Sequence, residues 1–319
     1  MPQRFLRTLA IAASLALTPM VAAAAPSAIP ALPAARNDYA NAKFSTALAA
    51  GLKAFYTKQF GQAVDNFNDA LAIVPDNTLA ISFLNAAAAQ NGTLESLIAN
   101  EEDTLSKESK KYLAHARLGF SYLFSSQVGR NRDVDAREEL NAAMTIDPKN
   151  PAAHVGLGVM RFNERSTNRA KTEFLAALDA DKNNVLAREY LGQIYQLDLK
   201  DPQRGLAYVI DVPNVVPGYA DIDFHIGSLL YDLNQKAQAV KWLQQAIDID
   251  IGHVGEAGQH GFTLLAQAYL DEHKVAEARK VLHEAIISNS DAPYAQTILA
   301  KIDSGAYDEP KPKDAKKKP

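Results

Sequence analysis

The chain of 319 residues contains no cysteine. This excludes disulfides, thiolate metal ligands, a thiol nucleophile and a lipid-modified cysteine, so stability has to come from core burial. Excess positive charge is also missing, with 33 Lys and Arg against 37 Asp and Glu. A mildly acidic balance argues against a nucleic-acid partner. No Gly-rich phosphate loop follows a strand pattern, and neither a G-x-S-x-G elbow nor an HExxH helix occurs. Beyond the first 25 residues no apolar run reaches the ~20 residues that span a bilayer. These absences point away from catalysis, cofactor binding and a membrane-embedded chain.

The two ends read as segments outside the fold. Arg4 and Arg7 precede an apolar run from Leu9 to Val21, interrupted by Pro19, and Ala22–Ala25 supply small residues at cleavage positions. That is the layout of a secretory signal peptide over residues 1–25. Its removal takes away two arginines and makes the mature chain more acidic. The expected location is the periplasm or outside the cell. Residues 26–43 carry Pro26, Pro30 and Pro33 and read as an extended linker. Residues 304–319 end the chain with five lysines and no apolar face, a pattern of disorder whose charge could give weak contact with an anionic surface.

Between these ends a small residue recurs at Gly51, Gly119, Gly158, Gly192, Gly227 and Ala266. The intervals are 34 to 39 residues, or twice 34, which is the period of stacked helix–turn–helix units. Around each small residue the chain resembles the tetratricopeptide repeat. The cleanest unit has Gly51, Ala63, Phe67, Ala70 and Pro75. Others give Leu118, Gly119, Tyr122, Ala136, Leu140, Ala143 and Pro148, then Leu157, Gly158, Ala170, Phe174 and Ala177, then Gly227, Ala239, Leu243 and Ala246, then Ala266, Tyr269, Ala278, Leu282 and Ala285. Small side chains at helix crossings let the axes approach to about 8–10 Å. Two units are degenerate. Residues 78–110 show helical runs split at Asn91-Gly92. Residues 185–219 keep Leu191, Gly192 and Tyr195, and Asp201-Pro202 reads as a helix cap and first turn. The sequence predicts an all-α solenoid over residues 44–303, with about seven helix pairs and a capping helix near 292–303. The resemblance implies a right-handed superhelix whose first helices line the concave side.

Mapped through that resemblance, the groove would be lined by Leu52, Phe55, Phe120, Leu123, Phe162, Gln193, Phe224, Tyr231 and Gln267. Its first half is apolar and aromatic, its second half mixed polar. An apolar groove suits an amphipathic helix or extended apolar segment. The expectation is an exported, non-enzymatic scaffold without cofactor or metal, gripping a protein or peptide partner in an envelope assembly, secretion, pilus or polysaccharide-export complex. The alternatives are a chaperone-like carrier of unfolded exported chains and a metal-binding or enzymatic protein using the 251–261 loop, where His253, Glu256 and His260 stand among four glycines. A five-residue insertion near 125–134 adds Arg130 and Arg132, which could meet an acidic partner or could be a tolerated surface loop.

Overall fold

A computed structural model describes residues 38–108 and 111–307. The signal-peptide expectation, the linker up to residue 37 and the Lys-rich tail from residue 308 fall outside these residues. Fifteen α-helices and no strand occur among the described residues. They form seven pairs: α1 (Ala42–Tyr56) with α2 (Phe60–Ile73), α3 (Thr78–Asn91) with α4 (Leu94–Lys107), α5 (Tyr112–Ser125) with α6 (Asp133–Ile146), and α7 (Pro151–Asn163) with α8 (Thr167–Ala180). There follow α9 (Val185–Gln193) with α10 (Pro202–Val209), α11 (Ala220–Asp232) with α12 (Lys236–Ile249), α13 (Phe262–Asp271) with α14 (Val275–Ile287), and a single last helix, α15 (Ala292–Asp303). Asp38–Ala40 make one turn and α1 starts at Ala42, so the end of the stretch read as linker is already part of the fold.

Within five of the seven pairs, the recurring glycine receives a large side chain from the second helix. A Cβ on Gly51 would stand 2.5 Å from the Phe67 ring, and one on Gly158 would stand 2.7 Å from Phe174. Leu140 fills the same place over Gly119, Val209 over Gly192 and Leu243 over Gly227. The filler also reaches the next pair: Leu140 meets Gly156, and the Phe174 ring stacks on Tyr190 at 4.9 Å. One residue therefore seals both the crossing and the joint between units. On α15, Ala295, Ile298, Leu299 and Ile302 are buried against the stack while Lys301 is exposed, the polar outer face that ends such an array.

Helix starts are set by short polar side chains. Asn41, Asn77, Asn150 and Asn184 accept backbone N–H groups of the first turn, Ala153 N at 2.7 Å in the case of Asn150. Asp201 does the same for α10, with Pro202 as the first helical residue. Each cap satisfies a donor that the helix leaves unpaired. Asn150→Ala should lower stability by about 1 kcal/mol, read as a fall in urea midpoint, whereas Asn68→Ala, away from any cap, should move it far less.

The fifth pair is the irregular one. After Gln193 the helix widens over Ile194–Asp198, and Leu199 N reaches back to Ile194 O at 3.1 Å. Its second helix has eight residues, and the chain then passes through a tight turn at Val212–Asn214 and Gly218, with φ of 81°. Pro213 and Pro217 cannot donate to a helical ladder.

Candidate functional site

The inner faces of the first helices do not leave the apolar half of the groove open. Helix α3 packs against α1, α5, α7 and α9, so it sits inside the curve of the stack. Leu79, Ala80, Ile81, Phe83, Leu84, Ala87 and Ala88 are all buried there. Leu52, Phe55, Phe120, Leu123 and Phe224, expected to line a ligand groove, are likewise buried core residues. Phe55 meets Phe83 edge-on at 5.1 Å, and Phe83 meets Tyr219 at 5.4 Å. Phe162 is half-buried against Tyr190 at 5.3 Å. The reason is legible in hindsight: residues 78–89 are apolar on every side, and such a helix is buried all round.

What faces the remaining inner surface is polar. Gln193 on α9 is half-buried, and its Nε2 lies 2.9 Å from His225 Nε2 on α11. The Gln196 amide donates to Ser228 Oγ at 2.8 Å and to Asp232 at 2.7 Å. Tyr231, half-buried, donates its hydroxyl to Asp271 at 2.7 Å, and Gln267 donates to the same carboxylate at 3.0 Å. The Lys236 ammonium sits 3.2 Å from the Tyr231 ring centre and 3.3 Å from Asp271. Gln193 joins α9 to α11 through His225, and Tyr231 joins α11 to α13 through Asp271, two separate rungs of a polar ladder whose residues Gln193, Tyr231 and Gln267 are each partly exposed.

A cluster of ionisable groups ties the first helix pair to the sixth. Tyr56, the last residue of α1, donates its hydroxyl to Asp221 on α11 at 3.1 Å. Its carbonyl accepts Gly252 N at 2.6 Å. The other Asp221 oxygen accepts Glu256 N at 2.7 Å. Gly252 and Gly255 are needed for this approach, because a Cβ would fall 2.7 Å from Tyr56 O and 2.3 Å from Asp221 Oδ1. Asp250 holds the loop in shape by accepting Val254 N, Gly255 N and Gly258 N. Tyr219 donates to Glu189, and His225 Nε2 lies 3.2 Å from Glu189 and 3.5 Å from Glu256.

The electrostatics follow from one imidazole among four carboxylates. Burial alone would push the His225 imidazole down, but Glu256, Glu189 and Asp221 outweigh it and hold it up at about 9. Burial, reinforced by Glu256, Asp250 and Glu189, pushes the Asp221 carboxyl up to about 8. Burial also raises Asp250, against the pull of its three backbone donors. Near neutral pH, then, His225 is charged and Asp221 largely protonated.

The insertion and the histidine loop both make contacts within the chain. Ser126–Arg130 form a wide turn folded back toward α4, where Arg130 pairs with Glu95. Arg132 pairs with Asp135, lies 3.6 Å from Glu102 and covers the Tyr122 ring at 4.0 Å. The reading of these arginines as contacts for an acidic partner therefore meets two side chains already engaged. His253, Glu256 and His260 diverge: His253 packs on Phe262, Glu256 turns to His225, and His260 lies 3.4 Å from Asp291. Among the described residues no group of three or more His, Asp or Glu is placed to hold a metal ion. No described helix is long and apolar enough to cross a membrane.

Tyr56, Glu189, Asp221, His225 and Glu256 are the cluster residues that sequence reasoning did not assemble. The signal available was Gly252-x-x-Gly255, which marks a close backbone approach but not to what.

Geometrically this is a repeat solenoid of helix pairs, a class that works by offering surface to other polypeptides. Residues 223–250 match the family model described as tetratricopeptide repeat. That stretch spans α11 and α12, and the helix pairs on either side of it share the same architecture. A search of curated proteins returns no match. Among solved structures, a chain of the APC/C hetero-tetramer Cut9–Hcn1 superposes with a TM-score of 0.61 at 16% identity, covering 77% of this chain and 46% of that one. This chain therefore spans less than half of that relative. PilF of Pseudomonas aeruginosa gives a TM-score of 0.53 at 16% identity over 71% of this chain and 98% of its own. At such identity the likeness establishes the fold alone.

Proposed function

We propose that the protein is an exported, non-catalytic scaffold that binds a protein or peptide partner through the polar inner face of its fifth to seventh helix pairs. The observation that carries this reading is the set of Gln193, Tyr231 and Gln267, each half-buried, each held by a polar neighbour and carried by successive first helices α9, α11 and α13. Hydrogen-bonding side chains held by neighbours are pre-organised, which lowers the ordering cost of binding. Export rests on the signal-peptide pattern of residues 1–25, and a periplasmic envelope complex is the setting that fits it. A relative of the same fold, the Cut9–Hcn1 hetero-tetramer, works as part of an assembly.

The fitting partner offers hydrogen-bonding groups rather than apolar side chains, because the partly exposed groups on these helices are the amides of Gln193 and Gln267 and the hydroxyl of Tyr231. Cross-linking in the envelope fraction followed by identification should recover one dominant partner. Gln193→Ala with Tyr231→Ala and Gln267→Ala should reduce its recovery at least about tenfold, which corresponds to about 1.4 kcal/mol. Full recovery by the triple variant, with an unchanged circular dichroism spectrum, would place the partner elsewhere.

A further inference from the structure

Gln193 Nε2 on α9 and His225 Nε2 on α11 lie 2.9 Å apart. Two nitrogens that close need a hydrogen on one and a lone pair on the other. An amide nitrogen offers only hydrogens, so the imidazole would have to present a bare Nε2. The surroundings of that atom argue against it. Glu189 lies 3.2 Å and Glu256 3.5 Å from the same nitrogen. Glu189 also takes the Tyr219 hydroxyl, so it sits there as an acceptor. A lone pair on Nε2 would face two carboxylates, whereas an N–H satisfies them. Asp221 on α11 adds a third acidic group to the same surroundings. A half-turn of the Gln193 amide about its last side-chain bond exchanges nitrogen for oxygen. The oxygen then accepts from His225, and the NH2 group becomes the outer end of this partly exposed side chain.

We propose that His225 is a positioning residue: it holds the Gln193 amide with its oxygen inward and its NH2 outward, so that this position takes a neutral acceptor, a main-chain carbonyl oxygen of the bound polypeptide. The inference rests on the reading of this face as a binding surface and adds the chemistry that the face selects. A partner carboxylate would also accept from the NH2 group. It would, however, approach a spot where Glu189 and Glu256 share a single imidazole, which leaves no positive charge to receive it. Gln267 on α13 is arranged the other way. Its NH2 is engaged by Asp271 at 3.0 Å, which leaves its oxygen to receive a donor. A donor on α9 and an acceptor on α13 suit a polypeptide main chain, where each residue other than proline carries one of each.

The sign of a titration shift tests the orientation. In the full chain, the His225 imidazole signal, recognised by its loss in His225→Gln, is followed by NMR through its midpoint near 9. An amide oxygen facing Nε2 favours the charged imidazole, so Gln193→Met should lower that midpoint by about one pH unit. Gln193→Glu, of the same shape with oxygen at both positions, should raise it. The proposal is overturned if Gln193→Met raises the midpoint or leaves it in place while the circular dichroism spectrum shows a folded chain, since the amide then turns its NH2 to the imidazole or makes no bond to it. Partner recovery in the envelope cross-link reads the ligand class. Gln193→Glu should lower recovery as far as Gln193→Ala, because both remove the outward donor. Parent-like recovery by Gln193→Glu alongside a loss in Gln193→Ala overturns the carbonyl assignment. Full recovery by the triple variant sinks the reading of the face, and the ligand class with it, but leaves the titration shifts as they are, so the two failures are told apart.

Discussion

Phe174→Ala is expected to lower unfolding free energy by about 3–5 kcal/mol, the usual cost of deleting a buried phenyl ring. Its ring fills the crossing over Gly158 and stacks on Tyr190, so truncation opens a void at two joints at once. The converse change makes the expectation specific. Gly158→Ala would place a methyl 2.7 Å from the Phe174 ring, and overpacking of this kind costs about 1–3 kcal/mol. Gly158→Ala combined with Phe174→Leu should be more stable than the sum of the two single changes predicts, because the smaller filler gives the methyl room. Chemical denaturation of the four proteins measures this cycle. Strict additivity would show that the glycine and the ring do not share one crossing.

Alkaline conditions should weaken the fold. His225 is held at about 9 against an ordinary value near 6.5, so its contribution is fully present below pH 6.5 and lost as pH rises to 9. At about 1.4 kcal/mol for each pH unit between those limits, the loss is on the order of 3 kcal/mol. Asp221, raised to about 8, acts in the same direction between about pH 4 and 8, because the folded chain holds its proton more tightly than the unfolded chain. Asp223, raised by burial to about 6, adds a smaller loss of the same sign at lower pH. The urea midpoint should fall steadily from pH 5.5 to pH 9. His225→Gln should be less stable than the parent at pH 6 and should flatten the limb above pH 8. A midpoint that stays level or rises over this range would mean that the imidazole is not held by its carboxylates.

The repeat, the pair boundaries and the capping helix were open to inspection because they depend on local spacing. Gly158 must face something large, Asn150 must cap something, and Asn91-Gly92 must break a helix, whatever the rest of the chain does. Even the degenerate 78–110 unit could be placed, since the interval demands a pair. The groove was another matter. Which first-helix residues are exposed depends on how tightly the stack curves, and curvature is a sum of small rotations that no single unit records. Phe55 and Phe120 therefore read equally well as ligand contacts or as core, and the tight curve makes them core. Tyr56 carries no motif at all, and it matters only because Asp221 comes to meet it. The polar ladder fell between these cases. Gln193, Tyr231 and Gln267 were visible as groove positions, whereas His225 and Glu256 behind them were not, because one lies among core residues of α11 and the other in a loop.

Asparagine caps and glycine crossings connect residues within one unit or its neighbour, and an array held only in that way can melt from either end. The closure at Tyr56 joins the beginning of the chain to a segment near its far end, so the first pair is also a side wall of the sixth. Removing the first two helices would then strip cover from Asp221 and the glycine loop as well as from its sequence neighbours. The first pair of this solenoid cannot be removed as an open array tolerates, and its closure must wait until residue 252 is available to find residue 56.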